Sequence, residues 1–311
     1  MISLAILRLI HGIGFGMITT STGTIIATII PQGRKGEGMG YYGLMMNISM
    51  ALGPFVGLIA INQWGSTIMF AISAASVVIG TFTALLINLP KDKKKETTER
   101  VVKKKRLNMK DLIEMSVMRI SLVSFFFALV YASIVSFVSV YAKELQLTEV
   151  ASYFFIVYVI ALIISRPFTG KWFDLYGPNV IMIPSIISFA FGMFLLSQAN
   201  GAFLFLLSAA FIGLGWGTIF PSAQTIAIQV APPKRSGIAT ATFLSTMDSG
   251  MAIGSVIVGI VGAQIGYSSL YFYSSIFVLA GLIVYYLLHG KVSRSHRKLA
   301  KEQELELSKV N

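Results

Sequence analysis

The chain of 311 residues contains no cysteine. A disulfide framework and a thiolate metal site are therefore excluded, while the redox compartment is left open. Charged residues make up only 12% of it, against roughly 25% in an average soluble domain. Histidine is scarce: His11, His289 and His296 are the only three, and they form no ligand cluster. No G-x-x-x-x-G-K-[ST] loop occurs, which excludes ATP hydrolysis through a P-loop. No catalytic constellation is present either, so neither an enzyme nor a bound cofactor is expected. What fills the chain instead is apolar: 55% of residues are hydrophobic and the mean hydropathy is +0.76. Such a composition belongs in a bilayer.

Nine apolar stretches are long enough to span one, at about 20 residues each. They cover residues 2–21, 41–61, 67–89, 117–141, 151–168, 179–198, 202–221, 238–262 and 268–289. The first has no charged leader or cleavage site and is followed by eight more, so it is not read as a signal peptide. Lysine and arginine gather in alternate loops, at Arg34-Lys35, Lys91–Lys110, Lys171, Lys234-Arg235 and Lys291–Lys309. The opposite loops hold only Lys143. Positive loops stay inside, which predicts a multi-pass plasma-membrane protein with a cytoplasmic C-terminus. The net charge of +12 follows from these loops. Nucleic-acid binding is not expected, because Lys91–Lys110 has no interleaved aromatic residue. That segment either meets anionic headgroups, at about 1 kcal/mol per basic residue, or is a solvated linker that fixes topology.

The chain also repeats itself at a distance of 201 residues. Gly12-x-Gly14-x-Gly16 returns as Gly213-x-Gly215-x-Gly217, and Thr24-Ile25 as Thr225-Ile226. Pro31, Arg34 and Gly36 return as Pro232, Arg235 and Gly237. Met50, Ala51, Gly53, Gln63 and Gly65 return as Met251, Ala252, Gly254, Gln264 and Gly266. Parallel repeats of multi-helix units build many secondary transporters. In this register residues from about 115 to 200 have no counterpart, since their partners would precede Met1. A complete two-copy protein is thus expected to carry about 85 further N-terminal residues, or three helices. The expected organisation is a first part at 1–90, a basic linker at 91–115, a second bundle at 116–290 and a tail at 291–311.

Glycine inside membrane helices lets backbones approach closely. Gly12, Gly14 and Gly16 offer one such face, Gly53 and Gly57 another, with Pro54 permitting a kink. Gly38-x-Gly40-x-x-Gly43 matches a dinucleotide fingerprint by chance, because it opens a membrane helix rather than following a strand.

Three motifs carry a resemblance. Arg8-x-x-His11-Gly12-x-Gly14 is similar to the fourth-helix Arg-x-x-Gln-Gly-x-Gly signature of the major facilitator superfamily, with histidine in place of glutamine. Gly53-Pro54-x-x-Gly57 resembles that family's fifth-helix motif, associated with proton-coupled exporters. Arg166-Pro-Phe-Thr-Gly170-Lys171-Trp-Phe-Asp174-Leu-Tyr-Gly177 resembles its cytoplasmic loop between helices eight and nine. The resemblance implies an all-α fold of two six-helix bundles around a central cavity, with this chain equivalent to helices four to twelve. It implies a part for Arg8 in proton coupling, the other reading being an arginine that satisfies backbone carbonyls. It also implies that Arg166 and Asp174 form a cytoplasmic gate with the loop around them, the alternative being topological anchoring.

Ionisable residues within spans are functional hypotheses by default. Asp248 lies mid-span at the repeat position of Asn47. It is read either as a proton- or cation-binding site or as a structural carboxylate bonded to backbone or to Ser245. Gln224, Ser222, Thr225 and Tyr158 are candidates for the cavity wall, with Phe125–Phe127 and Phe154–Phe155 as apolar partners. One carboxylate among aromatics suits amphipathic or cationic compounds. The expected partners are therefore a small-molecule substrate, protons and lipid. Three functional readings follow: a proton-coupled exporter, a nutrient symporter of the same fold, and a membrane fragment that does not transport.

Overall fold

The computed structural model describes residues 2–86, 112–232 and 235–290. The basic segment 91–110, Lys234 and the tail 291–311 lie outside the described residues. Every long element is helical: α1 (Ile2–Ile29), α2 (Lys35–Leu86), α3 (Met118–Glu144), α4 (Thr148–Tyr176), α5 (Pro178–Ser197), α6 (Ala202–Val230), α7 (Ser236–Ile265) and α8 (Tyr267–Tyr285). A π turn, Tyr286–Gly290, closes the described chain. In hydrocarbon each backbone polar group needs an internal partner, and the helix supplies it. Side chains follow the same rule. The hydroxyls of Thr19, Thr22, Thr24 and Thr28 each donate to the carbonyl four residues back, at 2.7–2.9 Å.

Eight helices among the described residues are long and apolar enough to cross a membrane. Two stretches expected as separate spans, 41–61 and 67–89, form one element over their described residues, α2, broken at Gly65. Gly65 has φ +83° and Gly266, its repeat partner, has φ +79°. Only glycine adopts that conformation without strain, so both copies bend at the same register. In the second copy the bend separates α7 from α8, and the Gly266 N–H donates to the Gly262 carbonyl at 3.0 Å.

Helices α3 to α8 form the larger packed body. Phe127, Phe154, Tyr158, Phe189, Phe205, Phe243 and Tyr271 are wholly buried in it. Glycines set its closest approaches. A Cβ on Gly213 would collide with the Tyr158 carbonyl of α4, and one on Gly215 would sit 2.5 Å from the Phe189 nitrogen of α5. The first copy meets this body along two lines: α2 against α4 and α6, and α1 against α7.

The glycine faces of the first copy differ from expectation. Gly12, Gly14, Gly16, Gly53 and Gly57 have no heavy atom within 4 Å of where a Cβ would stand. The close packing expected there is not made by the described residues, because no described helix lies against those faces. Pro54 lies within α2, upstream of Gly65. The second arm of α2 is bare as well: no residue of the best apolar window in Gln63–Leu86 is buried.

Candidate functional site

A cavity of about 200 Å³ lies between the two copies. Ten of its twelve lining residues form five repeat pairs: Phe15 with Trp216, Thr19 with Phe220, Met46 with Met247, Asn47 with Asp248, and Met50 with Met251. Tyr131 and Leu244 complete the wall. Equivalent positions of two related units meet only around the axis that relates them, so the cavity sits on the pseudo-symmetry axis of the molecule. Four methionines and the aromatic rings make its surface apolar and adaptable. Tyr131 stacks on Trp216 with ring centroids 4.5 Å apart.

The two polar members of the wall are held differently. The Asn47 amide is buried and fixed at both ends: Nδ2 donates to the Gly43 carbonyl at 2.8 Å, and Oδ1 accepts from the Tyr158 hydroxyl at 2.9 Å. Asp248, its repeat partner, makes no hydrogen bond or ion pair with any described residue. The bond to Ser245 that a structural carboxylate would have used is absent; that residue's carbonyl accepts from Ser249 instead. A free carboxylate in an apolar wall is the most reactive group of the site towards protons and cations.

Sequence placed other residues in the cavity. Gln224 is wholly buried one turn beyond Phe220 and does not line it. It packs against Gly23, its own repeat partner, where a Cβ would stand 3.2 Å from the amide nitrogen. Its amide nitrogen and oxygen have no hydrogen-bond partner among the described residues. Ser222 and Thr225 are buried too, and Phe127 and Phe154 belong to the core. Tyr158 stands behind the wall, bonded to Asn47 and beside Tyr131, whose ring centroid lies 6.4 Å from its own.

The loop-motif residues form a line. Tyr158, Leu162, Arg166, Gly170 and Asp174 recur every fourth position of α4, which puts them on one face. Four of these five meet α2 in order. Asp174 caps its N-terminus, accepting from the backbone N–H groups of Gly36 at 2.7 Å and Glu37 at 3.0 Å. Gly170 lets the helices touch, since a Cβ there would lie 2.8 Å from the Glu37 Cα. Arg166 lies beside Gly40 and is 3% exposed. Tyr158 binds Asn47. Arg166 and Asp174 do not pair with each other, being two turns apart. Asp174 pairs with a helix dipole, and Arg166 donates to the Gly217 carbonyl of α6 at 2.5 Å. Lys171 points outward, and Gly177, with φ +84°, turns the chain into α5. Arg8 is exposed on α1, two turns before Phe15, and contacts neither Asp248 nor any other charged residue described.

Sequence reasoning missed one charged cluster. Glu114, just before α3, accepts from the Ser116 hydroxyl at 2.8 Å and pairs with Arg235 at 2.9 Å. Its N–H donates to Thr242 Oγ1 of α7 at 3.0 Å. The bond from Ser116, with Arg235 adding its charge, holds the carboxyl below the usual carboxylate range. No group of three or more potential metal ligands occurs among the described residues.

The comparisons agree with this geometry. A family model described as the Major Facilitator Superfamily matches residues 1–157 and 149–310. An uncharacterized MFS-type transporter of Methanocaldococcus jannaschii is 27% identical over 295 residues, covering 90% of this chain and 73% of that protein. A staphylopine export protein of Staphylococcus aureus is 22% identical over 301 residues, covering 90% and 72%. Multidrug resistance protein MdtG of Escherichia coli is 22% identical over 306 residues, covering 94% and 72%. Among solved structures, the human organic anion transporter MFSD10 (TETRAN) superimposes with a TM-score of 0.65 at 14% identity, covering 86% of this chain and 67% of that one.

Proposed function

This chain belongs to the Major Facilitator Superfamily, and we propose that it exports small amphipathic cations in exchange for protons. It is a multi-pass membrane protein and not an enzyme. The observation that carries the proposal is the free Asp248 carboxylate on the axial cavity wall, opposite its neutral counterpart Asn47. A proton and a cation compete for one such carboxylate, and that competition is the simplest form of exchange. The methionines and rings around it take the apolar part of the ligand.

Alternating access follows from the seam. The cavity lies between units that meet along α2–α4 and α1–α7, so parting these lines at one end and closing them at the other moves the opening across the bilayer. On this reading the part at 1–90 rocks against the bundle at 116–290. Arg166, Gly170, Lys171, Asp174 and Gly177 form the gate at the cytoplasmic side. Arg8 keeps the coupling role that family resemblance gives it, acting from outside the cavity. We place the protein in the plasma membrane, and the bias of its basic loops supports a cytoplasmic C-terminus. Export, rather than uptake, rests on similarity to a staphylopine exporter and to MdtG.

The test is flux in proteoliposomes under an imposed pH gradient. Asp248→Asn is expected to abolish gradient-driven movement of a lipophilic cation while the protein still folds and inserts. Gradient-driven flux that survives the substitution would overturn the proton role.

A further inference from the structure

Among the described residues, three side-chain hydrogen bonds join the first copy to the second. Two come from Asp174 at the end of the seam. The third is Tyr158 to Asn47, and it is the one that touches the cavity. We infer that this bond is a ligand-operated latch: a cation bearing N–H donors, seated between Asp248 and Asn47, takes the Asn47 oxygen from Tyr158 and releases the middle of the seam. The inference rests on the export reading and names both the ligand chemistry and the residue pair that senses it.

Each polar group of the wall has a fixed hydrogen-bonding capacity. Asp248 accepts only, when ionised. Asn47 donates one amide N–H to the Gly43 carbonyl, which orients the side chain so that what it turns to Tyr158 is an acceptor oxygen. The pair of repeat positions thus presents two acceptors and suits a donor-rich cation, such as a primary ammonium. A quaternary ammonium satisfies the charge of Asp248 but cannot compete for Asn47. Tyr158 is itself 1% exposed. Its backbone packs on Gly213 and its hydroxyl lies near Gly217, so it has no room to follow a displaced partner. Loss of Asn47 therefore breaks the bond rather than lengthening it. What then holds α2 against α4 is the other end of the line, the Gly170 contact with Glu37 and the Asp174 cap.

Because the chain has no native cysteine, spin labels can be placed at Gly33→Cys and Leu175→Cys, both exposed at the Asp174 end. The full chain in nanodiscs is measured by electron double resonance with two probes of equal charge: 2-phenylethylammonium and its N,N,N-trimethyl analogue. The ammonium is expected to add a longer-distance population and to bind roughly tenfold tighter than the analogue, the scale of a hydrogen bond to a charged group. The trimethyl probe is expected to leave the distances unchanged. Tyr158→Phe is expected to raise the open-to-closed ratio without any probe, by roughly fivefold to tenfold. Asn47→Ala checks the same bond from the other side and is expected to erase the difference between the two probes. Equal response to both probes, or to neither, overturns the inference, as does a seam that stays closed in both variants. Flux lost in Asp248→Asn would still support export in each of those cases, so the two failures read differently.

Discussion

A hydrogen bond from Ser116 keeps the Glu114 carboxyl below its usual range, and the Arg235 guanidinium adds to it. A depressed folded value means that the ionised form stabilises the fold. That contribution is complete above the ordinary value of 4.5 and disappears as pH falls through the lower folded value. Glu114→Gln is therefore expected to cost about 1 kcal/mol at neutral pH, the size of one charge-assisted contact near a surface. The gap from the parent protein is expected to close as pH falls through that lowered value. Thermal unfolding in detergent across that range checks this, and a gap that persists at low pH would mean lost packing rather than lost charge. Asp248 and Asn47 show the other lesson at this scale. Their repeat relation and their chemical difference were both legible in the sequence. That one is tied to Tyr158 while the other is free was not, because it depends on which face of α4 turns towards α2.

At the scale of single helices, glycines with the same motif do different work. Gly213 in α6 lies against the Tyr158 carbonyl, whereas its repeat partner Gly12 in α1 has no described atom within 4 Å of where a Cβ would stand. Gly213→Ala is expected to destabilise by about 1–3 kcal/mol, since the backbone of α4 must move aside. Gly12→Ala is expected to lie within about 0.5 kcal/mol of the parent, as substitutions away from contacts do. Melting temperatures of the two variants side by side decide the point. Equal losses would mean that the α1 glycines pack in the membrane after all. The bends at Gly65 and Gly266 belong to this scale too. The repeated glycine marked them in the sequence, but the join of 41–61 to the following span as one element needed the backbone.

For the whole molecule the deciding feature is the seam between copies. Asp174 holds its end through two backbone N–H groups at the start of α2. Losing such a cap typically costs about 0.5–2 kcal/mol. Asp174→Ala is thus expected to raise the open-to-closed ratio at the Gly33–Leu175 label pair by up to roughly thirtyfold, without any ligand. A distance distribution identical to the parent's would deny Asp174 a part in closure. The motif Arg166–Gly177 pointed to this end of the protein. That Arg166 binds α6 while Asp174 caps α2 was not legible in the motif, because it depends on which helices pack against that face of α4.

Composition, hydrophobic spacing and the 201-residue repeat by themselves determined that this is a helical membrane protein of paired units. Those features report on transfer of each segment out of water, which depends on local sequence alone. The cavity is a different kind of fact. Its five repeat pairs are scattered along four helices, and nothing in their spacing separates Met46 or Phe15 from any other apolar residue. Gln224, polar and central in the sequence, lies one turn below the cavity against Gly23. Only the crossing of α1, α2, α6 and α7 around one axis decides which side chains face the gap, because helix rotation is set by packing and not by hydropathy.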